Sequence, residues 1–433
     1  MKLRLLLICT AAACAPIAPP PSEPPATAPE AAAPAPTTPP QTAPAPTTPP
    51  ATAADGARPY MEQSFEGWKQ GFLDRHGGAS RAAYERQLAG LSPDPTVISR
   101  DRNQPEFSRP AGAYVTGAVT PERLARGRQL IGDNPWLSRV EDRFGVPKEI
   151  LVAIWAQESA FGAIQGDMDV IRSLATLAHD GRRRDWAETQ LAHALDIVVS
   201  GRAPRERLKG SWAGAMGQTQ FMPDNYLRLG VDCSNDGQVD IWGSDADALC
   251  SAANLLDRAG WRDNQRWGYE IVLPSGFDYA LAEGDGRPWS FWAERGVRLA
   301  RGGAPTTAEA AENAVVLLPQ GANGPAFLAL PNHYVIRRYN NSVAYALAIG
   351  LLADGMEGRP GLTRAWPDEA PLSRDQRIGA QRALAAAGFD PGGIDGIVGA
   401  STRRALRAWQ QANGLIPDGH LTAALADRLM SGR

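Results

Sequence analysis

Long stretches of this chain carry apolar residues at helical spacing, and the sharpest of them is 146–162. There Ile150, Leu151, Ile154 and Trp155 recur with the helical period, which predicts a helix with one face turned inward. Pro147 suits its first turn, and Gly162 can take the left-handed conformation that ends it. Thr120-Pro121 opens a second helix that runs through Leu130-Ile131. Leu191, Ala194-Leu195 and Val198-Val199 line another. Further inner faces are Ala248-Leu249, Ala252-Ala253 and Leu255-Leu256, and then Tyr345, Ala348 and Leu351-Leu352. Between them, 313–336 pairs Val315-Val316-Leu317-Leu318 with Ala326-Phe327-Leu328-Ala329-Leu330 around Gly321 and Gly324, which predicts a short β-hairpin.

Residues 1–13 break this pattern. Lys2 and Arg4 precede an apolar run from Leu5 to Thr10 and the small residues Ala11-Ala12-Ala13, as in a secretory signal. Cys14 follows directly and resembles a bacterial lipoprotein processing site, although Ala11 stands where Leu is usual. Cys9, after Ile8, fits less well, and plain secretion with cleavage near Ala13 is the other reading. The stretch 14–57 is mostly Pro, Ala and Thr and lacks the apolar surface to offset chain entropy. It reads as an extended tether. Helical patterning holds over 58–366, Pro367 and Pro371 mark a boundary, and 372–433 has its own helices.

The chain has 433 residues, 43% of them hydrophobic, and a net charge of −3. That is enough for two or more domains, and the charge gives no argument for nucleic acid. No stretch beyond the N-terminus is apolar for long enough to cross a bilayer. Apart from Cys9 and Cys14 the cysteines are Cys233 and Cys250, an even pair expected to form a disulfide in an exported chain.

The first chemistry-bearing residue stands on the first helix. Glu158 follows Ile154 by four residues and so shares its apolar stripe. A buried carboxyl has a raised pKa, which suits it to general acid catalysis. The bland alternative is a Glu at a helix end, reaching solvent or an Arg. Two more stretches stand out: Ser211-Trp212-Ala213-Gly214-Ala215-Met216-Gly217-Gln218-Thr219-Gln220-Phe221-Met222-Pro223 and Arg338-Tyr339-Asn340-Asn341-Ser342-Val343-Ala344-Tyr345-Ala346. The first is too rich in Gly for a core helix and too apolar for a plain linker, so it reads as a shaped loop near a ligand.

Together with Gln157-Glu158-Ser159-Ala160-Phe161-Gly162, these stretches resemble the lysozyme-like lytic transglycosylases of the membrane-bound B type. The resemblance runs over roughly 58–360. It implies a mainly α fold: a lysozyme-like helical catalytic domain with a small β-hairpin subdomain. It also implies non-hydrolytic cleavage of the MurNAc-β-1,4-GlcNAc bond of peptidoglycan, leaving 1,6-anhydro-MurNAc ends, with Glu158 as the single catalytic acid. Ser211, Gln220, Tyr339, Asn340 and Tyr345 would line the glycan groove, with Met216 and Phe221 as its apolar floor. Arg183 and Arg184, in His179-Asp180-Gly181-Arg182-Arg183-Arg184, resemble the family's groove-lining Arg pair. The expected surroundings are glycan strands in the periplasm, an outer-membrane anchor through Cys14, and complexes of wall synthesis or division.

No cofactor is implied as required. B-type enzymes can carry a calcium loop, and Asp232, Ser234, Asp236 and Asp240 stand at suitable positions, but Gly243 replaces the acidic residue that should close it. Such a site would be weak unless Asp245 or Asp247 swings in. Residues 372–433 resemble a three-helix peptidoglycan-binding module through Asp395-Gly396, Gly399, Thr402, Ala405-Leu406 and Trp409-Gln410, with Thr402 expected to cap or orient a helix and Trp409 to lie in the core. Two other functions remain open. A hydrolytic muramidase would need a second carboxylate, for which Asp224 is the nearest residue. A non-catalytic wall-binding protein would need only the two modules.

Overall fold

The helix α1 (Lys148–Ser159) runs through the middle of the main core. It is not one-faced: every residue from Ile150 to Ala156 is buried, so the amphipathic reading underestimates it. A helix that is apolar on all sides is one enclosed by others. Its neighbours include α5 (Val343–Met356), the helix Pro121–Asp133 and α4 (Asp245–Arg258). α2 (Val170–Asp180) and α3 (Arg184–Val199) pack against each other beside it. The structure, a computed structural model, describes residues 63–102 and 109–432. The signal segment, Cys14 and the tether lie outside the described residues.

The helix starts behave as their sequences suggest. Thr120 Oγ1 accepts from the Arg123 N–H, with Pro121 at the first helical position. Pro147 is the residue before α1 rather than its first, and α1 ends at Ser159, three residues before the expected Gly162.

Around 268–330 the fold turns to sheet. β5 (Val315–Leu317) and β6 (Ala326–Ala329) form the predicted hairpin. It is half of a larger element, because β6 also pairs antiparallel with β3 (Gly268–Val272), and β3 with β4 (Arg298–Leu299). β1 (Met168–Asp169) and β2 (Lys209–Gly210) form a separate two-stranded ladder. Side chains of a strand alternate between faces. Here Val315, Leu317, Phe327 and Ala329 enter the main core, while Val316, Ala326 and Leu328 enter a second core around Trp292. The sheet is the wall between two interiors. Trp267, just before β3, lies flat against Gly350 of α5, where a Cβ would sit 2.3 Å from its ring.

The third core belongs to α6 (Arg374–Ala386), α7 (Ala400–Ala412) and α8 (Ala423–Ser431), and Trp409 is in it as expected. Thr402 is not a cap. Gly399 holds that position, and the Thr402 hydroxyl donates to Pro391 O across the loop. α7 also grips the second core's surface: Arg403 and Arg407 both reach the Glu283 carboxylate at 2.6 Å.

Cys233 and Cys250 are disulfide-bonded, 17 residues apart, tying the loop 232–244 to α4. Closing a loop of that size stabilises by about 3 kcal/mol on a chain-entropy estimate. Replacing both cysteines by Ser should therefore lower the Tm by several degrees. The same Tm with and without a reductant would show that the bond adds nothing.

Candidate functional site

The site forms where α1 runs out. Its last turn carries Glu158, and the chain then makes three successive left-handed residues, Ala160 at φ 49°, Phe161 at 61° and Gly162 at 84°. For Ala and Phe this conformation is strained and persists only where the surroundings enforce it. Ser159 does part of that. Its hydroxyl donates to Gln218 O at 2.5 Å and accepts from Gly162 N–H at 2.8 Å. Behind it, Trp155 Nε1 donates to Gln218 Oε1 at 2.9 Å.

Glu158 is enclosed by protein on most sides while keeping part of its surface open. The Tyr345 hydroxyl, from α5, donates to its Oε1 at 2.5 Å. Burial pushes the carboxyl up to about 7, and the Tyr345 hydrogen bond acts in the opposite direction. Tyr339 and Tyr345 are both held far above the usual phenol range, first by burial and then by the Glu158 charge. Among the described residues no second carboxylate contributes to the shift of Glu158. Asp224 lies at the start of the helix Pro223–Leu229, with Arg228 at 3.7 Å.

The Gly-rich stretch folds into a tight loop over α1. Met216 and Phe221 exchange both backbone hydrogen bonds at 2.8 Å, and Gly217 turns between them at φ 71°. A Cβ on Gly217 would meet Ile241 O at 2.7 Å, so the loop can sit this close only with glycine there. Met216 and Phe221 are fully buried, so they support the site from beneath and do not line it. Tyr339 rests on Phe221, centroids 6.1 Å apart, and donates to Thr219 O at 2.8 Å.

The other expected residues divide. Gln220 gives its amide to Gln165 O and Gly217 O, which closes the loop. Ser211 Oγ accepts from Ala215 N–H. Asn340 is exposed. Arg183 and Arg184 have different partners. Arg183 is bound to the buried Asp101 at 2.5 Å and lies over the rings of Trp186 and Trp212 at 4.9 and 5.5 Å. Arg184 Nε donates to Ala178 O at the end of α2. Sequence reasoning missed Gln218, Trp155 and Asp101. One signal was available for Trp155: an indole N–H on a buried face requires an acceptor.

The acidic loop spends its oxygens on its own backbone. Asp232 accepts from the N–H groups of Asn235 and Gly237 and from Ser234 Oγ, and Asp236 accepts from Gln238 N–H. Asp240 accepts from Trp242 and Gly243 N–H, and its carboxylate is paired with Arg207 at 3.1 Å. Among the described residues no three His, Cys, Asp or Glu side chains converge as metal ligands. A guanidinium on the carboxylate at position nine and no acid at position twelve do not fit a calcium site.

Comparison with known proteins gives a consistent answer. The transglycosylase SLT domain family matches residues 64–354, and the putative peptidoglycan binding domain family matches 373–429. The membrane-bound lytic murein transglycosylase B of Escherichia coli K12 is 30% identical over 260 residues, 58% of this chain and 69% of its own. SltB3 from Pseudomonas aeruginosa, solved in complex with NAG-anhNAM-pentapeptide, is 49% identical, with a TM-score of 0.80 over 85% of this chain and 99% of its own. Slt35 from Escherichia coli, solved in complex with calcium, is 27% identical, with a TM-score of 0.58 over 67% of this chain and 92% of its own.

The raised Glu158 value has a consequence for stability. The native carboxyl titrates near 7 and the unfolded one near 4.5, so the fold prefers the protonated form and loses stability as pH rises between those values. Glu158→Gln carries no such penalty. It should match the parent below about pH 4.5 and exceed it at pH 8 by up to ~3 kcal/mol in urea unfolding. Equal stability at both pH values would mean that the carboxyl is well hydrated.

Proposed function

The chain belongs to the SLT-type transglycosylase family, peptidoglycan lytic transglycosylases by activity, and on that premise we propose that Glu158 is the single acid and base of the reaction. One observation carries this reading: a buried carboxyl tuned to titrate near 7, with a hydroxyl on one oxygen and no carboxylate partner among the described residues that shift it. The protonated group gives its proton to the glycosidic oxygen as the bond to the anomeric carbon breaks and the electron pair leaves with that oxygen. The resulting carboxylate takes the proton of the muramic acid 6-hydroxyl as this attacks the anomeric carbon. The ring closes as a 1,6-anhydro sugar, no water is consumed, and Glu158 is protonated again. A glycosidase that uses water needs two flanking carboxylates.

Ser211, Tyr339, Asn340 and the Arg183–Trp212 stack would line the glycan groove. Met216, Phe221 and Tyr345 act from below, Tyr345 by fixing the Glu158 rotamer and keeping its pKa from rising further. Glu158→Gln should lower turnover of sacculi by roughly 10²–10⁴-fold, the usual weight of general acid catalysis. Wild-type products should end in 1,6-anhydro muropeptides by mass spectrometry, and reducing ends would instead establish a hydrolase. Activity should fall as pH rises through about 7, where Glu158 ionises. Tyr345→Phe removes the interaction that lowers this value, so the basic limb should move to higher pH.

The reading places the enzyme in the periplasm at the cell wall, with residues 372–433 holding glycan near the site. Two binding units on one polymer raise the local concentration of substrate. We further assign Cys14 as a lipid anchor to the outer membrane's inner leaflet, with 15–57 as the tether and growth or division complexes as the setting. Cys14→Ala should then move the protein to the soluble periplasmic fraction; retention at the membrane would remove the anchor from the account. The acidic loop works without a cation, held by the disulfide and by Arg207. Millimolar calcium and EDTA should both leave the Tm unchanged, and a calcium-dependent rise would reverse this assignment.

A further inference from the structure

The left-handed turn after Glu158 is flanked on one side by one buried residue, bonded to it through its backbone and abutting it with its side chain. Gln218 is only 4% exposed. Its Oε1 accepts from Trp155 Nε1 at 2.9 Å, one turn before Glu158. Its Nε2 donates to Asp245 Oδ1 at 3.1 Å, at the start of α4. Asp245 Oδ2 accepts in turn from Asn134 Nδ2 at 3.3 Å. The Gln218 backbone accepts from Ser159 Oγ and donates to Ile241 O at 2.9 Å. A Cβ on Gly162 would lie 2.6 Å from Gln218 Oε1, so the same amide also abuts the end of the turn.

We propose that Gln218 is a positioning residue of the reaction, joining α4 through Asp245 to Trp155 and the Ser159–Gly162 turn, and thereby fixing the depth and direction of Glu158. The inference rests on Glu158 being the acid. Both polar ends of the amide are used, so its orientation is determined: oxygen towards Trp155, nitrogen towards Asp245. A carboxylate at this position would keep the first bond and face Asp245 with a like charge. Reversing the pair would restore both bonds. With Gln218→Glu and Asp245→Asn together, the carboxylate accepts from Trp155 and from the introduced amide, whose oxygen still accepts from Asn134.

Three variants, Gln218→Glu, the Gln218→Glu/Asp245→Asn pair and Glu158→Gln, are compared for folding by circular dichroism. Each is then assayed for 1,6-anhydro product from sacculi across pH. The single Gln218→Glu variant should keep KM and lose kcat on the order of 10–100-fold, the effect of a displaced catalytic group. The pair should bring back kcat. Wild-type kinetics in a folded Gln218→Glu variant would overturn the proposal, as would a loss that the pair does not repair. If the single variant fails to fold, the pair decides: wild-type kcat with an unchanged KM supports the assignment, and any other result, misfolding included, overturns it. Activity retained in Glu158→Gln would sink the reading of Glu158 instead, and is scored separately.

Discussion

A carboxyl group kept from water, with one phenol hydroxyl on it, is the constraint around which the catalytic domain is arranged. Hydration favours the ionised form of Glu158 and enclosure the protonated form, and the bond from Tyr345 moves the balance part of the way back. Burial sets the direction of the shift, and the bond from Tyr345 limits its size. The two residues are 187 positions apart and sit on helices packed against each other in the main core. Their separation is therefore set by the packing of α1 on α5, and interiors packed at crystal-like density hold such distances closely.

The same packing explains the loop above them. Helix α1 must stop directly after its functional residue, and the chain must leave at once to make room for a ligand. Three left-handed residues achieve this in a short span, two of them at the energetic disadvantage of having a Cβ. The loop 211–223 stabilises the turn from outside through Ser159, Trp155 and Gln218. Its glycine at 217 lets the backbone lie against Ile241. The acidic loop and its disulfide in turn hold the start of α4, where Asp245 receives the Gln218 amide.

Much of this could be read in the sequence. Apolar periodicity located α1, α3, α4 and α5, and a carboxylate on an apolar stripe marked Glu158. The hairpin at 313–336 was legible because β5 and β6 are close in sequence. The pairing of β6 with β3 was not, since Gly268–Val272 has no hairpin turn linking it to β6 and only the tertiary fold joins them. Roles inside the site were harder to read. Gln220 looks like a ligand contact by residue type, yet its amide nitrogen is spent on Gln165 O and Gly217 O. Arg183 and Arg184 look alike and do different things, because one meets a buried aspartate from the distant helix Pro95–Arg102. Periodicity carries information about faces, while the partner of a polar atom depends on contacts between distant segments.

The sheet that divides two interiors carries a further implication for how the chain tolerates change. Sliding β6 by a single residue would send Phe327 and Ala329 into the space around Trp292 and deliver Ala326 and Leu328 to the side of α1. Both compartments would be misfilled at once, one overcrowded and the other hollow. Insertions or deletions should therefore be scarce inside the strands. The subdomain cannot drift independently of the helices behind it, because β5 and β6 form a shared boundary whose two faces answer to different neighbours.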